Sequence, residues 1–391
     1  MSISEKLEKQ LLNIQGSIQK KYGKDSITYF GSTEVMEMPR FTSNCRSLDR
    51  ALGGGFPEGR IIELFGPPSS GKSTTCLHAI AAMQAKYPET PVAYLDSEYS
   101  FDPIYAKALG VNVDGMLVAQ PDNGNLTFDI MIDLIEAGVK LIICDSVAAL
   151  LPKEEDESSL TENQMGVQAR LMSKGLRKLN TYAGKAGCTI IFTNQTRQKI
   201  GVMYGDPTVT AGGNALPFYA SVRCRFTPTS LFTEGDEGKT ARRIRVSIVK
   251  NKTYVPFKDC EFDIKFGCGF DESAMIIDEM FSLGIATKAG SWVSLLGEKA
   301  GQGRDRIVEI VNKYDALSFF DNAITCLDNK TKTIDDIKND WEEYKSTHSV
   351  DDISEKEQLI YDKSLENQNK NVIDLLVKSK NESNEDESGE V

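Results

Sequence analysis

Apolar residues recur with two periods along the chain, and the switches between those periods divide it. Over residues 3–22, Leu7, Leu11, Ile14 and Ile18 fall three or four apart with Lys and Glu between them. That spacing predicts a helix with one greasy stripe and nothing of its own to pack on. The run Ile27 to Phe30 ends at Gly31 and predicts a strand. Gly53-Gly54-Gly55 and Pro57 then mark a turn. Beyond it, near-continuous apolar runs at 60–65, 92–96, 116–119, 141–145 and 189–193 alternate with helical patterns at 73–86, 103–109, 126–137 and 166–186. Strands lacking polar alternation are buried on both faces, so the pattern predicts an α/β core with a mainly parallel sheet. Extended runs at 218–226, 243–249 and 260–266 predict hairpin-like additions to one edge of that sheet. The expected division is an N-terminal arm over 1–35, a core over 36–270, a small α+β domain over 271–330 and an acidic, largely disordered tail over 331–391.

Composition narrows the class. With 40% hydrophobic and 26% charged residues the chain reads as a soluble globular protein. It has no run of about 18 apolar residues and no signal-peptide core after Met1, which predicts a cytoplasmic protein without a membrane partner. Eight scattered cysteines form no CxxC pair, and His78 and His348 are the only histidines, so zinc sites, disulfide frameworks and histidine-based catalysis are disfavoured. The net charge of −12 argues against nucleic acid only at first sight. Residues 331–391 hold 17 acidic and 8 basic side chains, so the rest of the chain carries only −3. Within it, basic residues bunch at 170–185, 197–199, 223–225, 239–258 and 299–306, and local patches matter more than totals for phosphate binding.

The candidate chemistry begins at Gly66-Pro67-Pro68-Ser69-Ser70-Gly71-Lys72-Ser73, a GxxxxGK[ST] phosphate loop between an apolar strand and a helix opening at Thr74. Glycines let backbone N–H groups wrap phosphate oxygens, and the helix N-terminus favours anions. Lys72 is expected to hold the β- and γ-phosphates of ATP, and Ser73 to ligate Mg²⁺. The strand Leu141 to Cys144 ends in Asp145, which fits a carboxylate orienting water around that metal. The strand Val92 to Asp96 is followed closely by Glu98, a candidate general base for the attacking water.

Further blocks follow in order: Asp102-Pro103-Ile104-Tyr105-Ala106, Asp145 to Leu150, Met165 to Arg170, Lys199 to Gly205, Gly212 to Leu216 and Lys250-Asn251-Lys252. With the phosphate loop they make the chain resemble the bacterial RecA recombinase family over residues 5–310. The resemblance implies a RecA-type P-loop NTPase core, the N-terminal arm serving oligomerisation, and DNA-dependent hydrolysis of ATP. It implies helical filaments on single-stranded DNA, pairing with homologous duplex DNA and strand exchange. Repressor and loading-factor partners, with a co-protease role in the SOS response, are further candidates. By the same resemblance Glu98 is the catalytic base, Asp102 and Tyr105 contact adenine, and Gln195 senses the γ-phosphate. Lys250 and Lys252 would reach a neighbouring subunit's ATP, as an arginine finger does.

Two DNA-binding segments are implied. One is the loop 152–164 leading into a helix that presents Met165, Arg170, Ser173 and Arg177, the last three sharing one face. The other is the loop 196–214, with Arg197, Lys199, Ile200, Gly212, Gly213 and Asn214, too long and aperiodic for an ordinary connection. Basic residues would meet phosphates, while Met165 and Ile200 would wedge between bases. Pro217 and the segment 223–228 depart from the family pattern, the latter lacking paired arginines of a second DNA site; Arg242, Arg243 and Arg245 are candidates to compensate. A RecA-fold hexameric helicase or other motor ATPase is the alternative, though it has no reason to carry the Lys199 to Asn214 block with the paired lysines.

Overall fold

The computed structural model describes residues 5–29, 38–152, 166–198, 208–233 and 239–348. It separates into two units, Met1–Asp271 and Glu272–Val391.

The first unit opens with α1 (Glu5–Tyr22), none of whose residues is buried by the described part of the chain; of the expected apolar stripe, Leu7 and Ile14 are exposed and Leu11 and Ile18 half-buried. Ile27 is extended (φ −155°, ψ 141°), yet residues 27–29 join no ladder, and Phe30 lies outside the described residues. Within the described residues the expected strand is thus extended at Ile27 without ladder pairing, and the Ile27 carbonyl accepts instead from Gln19 Nε2 at 3.0 Å. Next come β1 (Arg40–Phe41), α2 (Arg46–Leu52) and β2 (Phe56–Pro57), with β1 and β2 forming their own small antiparallel sheet.

The main sheet is built from β3 (Ile61–Gly66), β4 (Val92–Asp96), β5 (Met116–Ala119), β6 (Leu141–Asp145), β7 (Thr189–Gln198), β8 (Thr208–Thr210), β9 (Val222–Thr233), β10 (Lys239–Asn251), β11 (Asp259–Lys265) and β12 (Gly269–Phe270). Its helices are α3 (Lys72–Lys86), α4 (Pro103–Ala108), α5 (Gly124–Glu136), α6 (Val167–Ala186) and α7 (Ala215–Tyr219). Strand order is β12-β11-β10-β9-β3-β7-β6-β4-β5, with β8 against β7. Strands β9, β3, β7, β6, β4 and β5 run parallel, whereas β10, β11 and β12 add antiparallel at one edge. Every residue of β3, β4 and β6 is buried, as the unbroken apolar runs predict.

Helix α6 shows how one sequence face is spent on packing and the other kept free. Val167, Met172, Leu176, Leu179 and Ala183 are buried, and each of the first four side chains contributes about 1.5–3 kcal/mol by leaving water. Gly175 lets α5 approach, since a Cβ there would stand 2.5 Å from the Phe128 ring. Arg170, Ser173, Lys174, Arg177 and Lys178 occupy the exposed side. The register of the parallel strands pairs Gly66 with Gln195 and Asp96 with Asp145. Their C-terminal ends thus form one line, the rim where open α/β sheets bind ligands.

The second unit holds α8 (Glu272–Leu283), a three-stranded antiparallel sheet of β13 (Ala286–Ala289), β14 (Trp292–Leu295) and β15 (Glu298–Gln302), then α9 (Asp305–Lys313), α10 (Leu317–Asp328) and α11 (Ile334–Thr347). Helix α11 lies past the expected boundary at residue 330 and is not tail. Thr333 caps it reciprocally with Asp336, and Ile337 and Trp341 are buried in the core of this unit. The charge-rich composition of 331–348 conceals a two-residue apolar anchor. Residues 349–391 lie outside the described residues.

Candidate nucleotide site and nucleic-acid face

The phosphate loop connects β3 to α3 at the sheet rim, and its glycines are required by contact and by backbone. A Cβ on Gly66 would stand 2.3 Å from the Phe226 carbonyl oxygen, and Gly71 combines φ 85° with Ile264 at 2.3 Å from the same construction. Lys72, 8% exposed, donates from Nζ to the Gly66 (3.2 Å) and Pro67 (2.8 Å) carbonyls and to Ser70 Oγ (3.2 Å). Burial pulls its ammonium below the usual pKa, while the carboxylates of Asp145 and Glu98 oppose that shift. Its charge is thus folded back on the loop's own carbonyls, where an incoming polyphosphate can compete for it.

Asp145 is held by hydroxyl donors from three elements. Ser73 Oγ (2.6 Å) and Tyr94 OH (2.8 Å) donate to Oδ2, and Thr193 Oγ1 (2.5 Å) donates to Oδ1. Burial and the adjacent Asp145 charge push the Tyr94 phenol far up, so it remains a donor. Glu98, on the exposed loop after β4, accepts from Ser146 Oγ and, at 3.1 Å, from Gln195 Nε2. Three strand ends distant in sequence therefore bring Glu98, Asp145 and Gln195 to the phosphate loop as expected.

On the other side of the loop an open cavity of about 420 Å³ is lined by Ser69, Thr74, Tyr105, Arg242, Ile264 and Phe266, among others. Tyr105 OH lies 3.0 Å from Thr74 Oγ1, and burial raises its pKa, partly offset by that contact. A phenol ring flanked by Phe266 and Ile264 suits a flat aromatic base. Asp102 is not part of this wall. Its Oδ1 accepts from the Ile104 and Tyr105 N–H groups at 2.8 and 3.1 Å, capping α4, because Asp before Pro at a helix start is an N-cap first.

Lys250 and Lys252 sit where β10 turns toward β11. Lys250 Nζ donates to the Pro217 and Phe218 carbonyls at 2.7 and 2.9 Å, covering the end of α7, and Lys252 Nζ lies 6.0 Å from the Phe218 ring centre. Burial, with Lys252 and Arg223 near, lowers the Lys250 pKa to about 8. The turn is braced by residues the sequence reading passed over. Buried Asn251 donates to the Leu52 carbonyl and accepts from Thr253 and Tyr254 N–H groups, and Arg40 donates to the Thr253 carbonyl at 2.8 Å.

A second buried network went unread although its signal was visible, a lone Glu inside the apolar run of β3. Glu63, fully buried, pairs with Arg223 at 2.5 Å and accepts from Asn194 Nδ2 at 3.0 Å. The same Asn194 amide donates to the Ala211 carbonyl at 3.1 Å, tying the residue beside Gln195 to the far end of the expected second loop.

The family model for the RecA N-terminal domain matches residues 9–271. Protein RecA of Picosynechococcus sp. is 45% identical over 307 residues, covering 78% of this chain and 88% of its own. Protein RecA of Rippkaea orientalis is 46% identical over 303 residues (77% and 86%), and that of Leptospira meyeri 43% over 352 residues (87% and 90%). The chain belongs to the RecA family. It is accordingly an ATP-dependent DNA recombinase, a DNA-dependent ATPase with strand-exchange activity in recombination and repair, and the hexameric-helicase alternative is not favoured.

The RecA-family core here has a cationic face beside the nucleotide rim. Arg170, Ser173 and Arg177 share one side of α6, as expected, and Lys174 and Lys178 extend it. The second loop is not wholly a loop. Its stems pair as strands, Thr196 with Thr210, Arg197 with Val209 and Gln198 with Thr208. Gly212 and Gly213, both at positive φ, follow the β8 stem, and a Cβ on Gly213 would meet Ala169 of α6 at 3.2 Å. Asn214 then precedes α7. The two expected DNA segments are thus neighbours. Met165, Lys199, Ile200 and the loop 153–164 lie outside the described residues.

The candidates to replace the missing paired arginines are engaged elsewhere in the subunit. Arg243 makes a two-pronged pair with Asp263 at 2.8 Å, Arg245 pairs with Asp259, and Arg242 donates to the Ser69 carbonyl. Alternation along β10 sends them to different partners, which a cluster of arginines in the sequence does not reveal. No described helix is long and apolar enough to cross a membrane.

Proposed function

We propose that ATP bound at the phosphate loop of one subunit is completed by Lys250 and Lys252 of a neighbour, so that nucleotide state sets the filament's grip on single-stranded DNA. The observation that carries this reading is the convergence of Lys72, Ser73, Asp145, Glu98 and Gln195 at one sheet rim, with Gln195 one residue from the Asn194 tether to Ala211. Lys72 exchanges its loop carbonyls for the β- and γ-phosphates. Glu98 accepts the proton of a water whose oxygen bonds to the γ-phosphorus as the bond to the β–γ bridging oxygen breaks. Tyr105 and Phe266 hold the base; Asp102 supports that wall by capping α4.

The hydroxyl of Ser73 would hold Mg²⁺ and the carboxylate of Asp145, 2.6 Å from it, would hold the ion through water, both being hard oxygen donors. When bound, Mg²⁺ neutralises charge developing on the transferred phosphoryl group. Gln195 bridges the chemistry to the DNA side. A γ-phosphate that draws its amide from Glu98 shifts the end of β7, the β7–β8 stems and, through Asn194 and Ala211, the glycines against α6. Arg170, Arg177, Lys174, Lys178 and Arg197 neutralise DNA phosphates, and Ser173 adds a hydroxyl. Met165, Lys199 and Ile200 keep their family roles in this proposal, as does homologous duplex DNA as the second substrate.

For Lys250 and Lys252 to reach a neighbour, Lys250 must leave the Pro217 and Phe218 carbonyls. Phe218, 71% exposed, and the exposed part of the α1 stripe around Ile14 are surfaces for that neighbour. A strand-exchange assay with ATP, Mg²⁺, a circular single strand and homologous linear duplex tests the proposal. Joint molecules and exchanged products are expected from the intact chain and none from Lys72→Ala. Nucleotide-dependent rings in electron micrographs, without exchange, would overturn it.

A further inference from the structure

Arg242 stands apart from the other β10 arginines because its partner is the phosphate loop itself. Its Nη1 donates to the Ser69 carbonyl at 2.8 Å. Ser69 is the loop's non-glycine residue in the left-handed region, at φ 53°. Arg242 also lines the 420 Å³ cavity, where it is the one charged side chain among the described residues of the wall. That wall joins two kinds of surface. Gly71 and Thr74 open the helix that receives phosphates, whereas Tyr105, Ile264 and Phe266 form an apolar, aromatic slot. A guanidinium has five N–H donors in a fixed fork, and the bond to Ser69 uses one of them.

We infer that Arg242 is a nucleotide-contacting residue, donating to the ribose oxygens and α-phosphate of the nucleotide in this cavity, rather than part of a second DNA site. The inference rests on the nucleotide reading of the site given above. Anchorage to Ser69 places the guanidinium between the base slot and the loop, so the ligand atoms within its reach are those common to nucleoside di- and triphosphates. Lys72, held by the Gly66 and Pro67 carbonyls and absent from this wall, is left to the outer phosphates. Arg242 therefore supplies affinity that is blind to the γ-phosphate. It also bars the cavity to ligands with no anionic or oxygen-rich segment next to the base, because an unmatched cation at the wall would lose solvation.

Calorimetric titration of the full-length protein with ADP and with a non-hydrolysable ATP analogue tests this. Arg242→Ala should weaken both ligands by the same factor, about 10–100-fold, the range of a hydrogen bond to a charged group. Arg242→Lys should recover part of the loss. Steady-state turnover should show a raised KM with kcat unchanged, since the contact is equal in ground and transition states. Affinity for single-stranded DNA at saturating nucleotide should not move. A Ser69→Gly background separates contact from loop support, because glycine holds the left-handed conformation unaided. If Arg242→Ala costs nothing further in that background, Arg242 acts only on the loop and the inference is wrong. It is equally wrong if only the ATP analogue loses affinity, or if DNA affinity falls while nucleotide affinity holds. Lys72→Ala and Tyr105→Ala act as controls for the underlying site. ADP binding that responds to them but not to Arg242→Ala removes the inference alone; ADP binding indifferent to all three removes the site reading with it.

Discussion

Cutting the chain at residue 330 and cutting it at residue 348 should produce different proteins. Most of the acidic charge lies beyond the second cut, with 12 acidic and 5 basic side chains over 349–391. The first cut also removes α11, whose Trp341 is 3% exposed and Ile337 1%. Trp341 packs against Tyr314, Phe319 and Phe320, with ring centres 4.9–5.5 Å apart. Loss of a buried Trp to Ala costs about 3–5 kcal/mol, and loss of a buried Ile about 2–5. A unit of this size has a total stability of about 4–12 kcal/mol. Truncation at 330 therefore removes an amount comparable to the whole. Trp341→Ala in the full chain should lower the melting temperature of the second unit by roughly 10–40 °C. Differential scanning calorimetry of the two truncations and the point variant measures this. The 348 truncation should keep the transition and bind duplex DNA more readily, its acidic competitor gone. Were the 330 truncation to melt within about 5 °C of the intact chain, the structural reading of α11 would be refuted.

The remaining expectations concern the site and its supports. Glu98→Gln should keep ADP affinity while DNA-stimulated turnover falls about 10²–10⁴-fold, the usual worth of a positioned base, read by phosphate release; turnover near the parent value removes Glu98 from that role. Arg223→Met should destabilise the first unit by about 3–5 kcal/mol in denaturant titrations by leaving Glu63 unpaired, and adding Glu63→Gln should recover most of it. Lys250, lowered to about 8 where it lies on the Pro217 and Phe218 carbonyls of the free subunit, loses its charge there as pH rises through 8, so the rate at which free subunits assemble with ATP, read by light scattering, should decline from pH 8 to 9. Lys250→Arg should flatten that limb, and an unchanged limb would show that another group titrates. For stability the sign is opposite: with a folded pKa below the unfolded value, the Lys250 contribution grows from pH 8 toward the ordinary lysine value.

What could be read from the sequence was whatever local pattern decides. The apolar runs of β3, β4, β6 and β7 located the parallel core, and the phosphate loop with Asp145 and Glu98 located the rim. What the sequence leaves open turns on contacts that no periodic pattern announces. Asp102 caps α4 through Oδ1, a role that its place before Pro103 signals and that stands beside the adenine contact implied by the family resemblance. The stems of the 196–214 segment have no alternation strong enough to announce a hairpin, because β8 is three residues long. Ile337 and Trp341 are two apolar residues in a charged stretch, too few to reveal a core helix by composition. Arg242, Arg243 and Arg245 look alike in a string, and only the strand register separates a loop contact from two ion pairs.

The central claim is that each active site is shared by two subunits, and mixing defective subunits tests it most directly. Lys72→Ala retains Lys250, and Lys250→Ala retains the phosphate loop, so an equal mixture should restore DNA-dependent ATPase to about a quarter of the parent rate, the share of head-to-tail interfaces that pair the two intact halves at random. A mixture no more active than the sum of its two components, with both variants folded and joining the same filaments, would contradict the account.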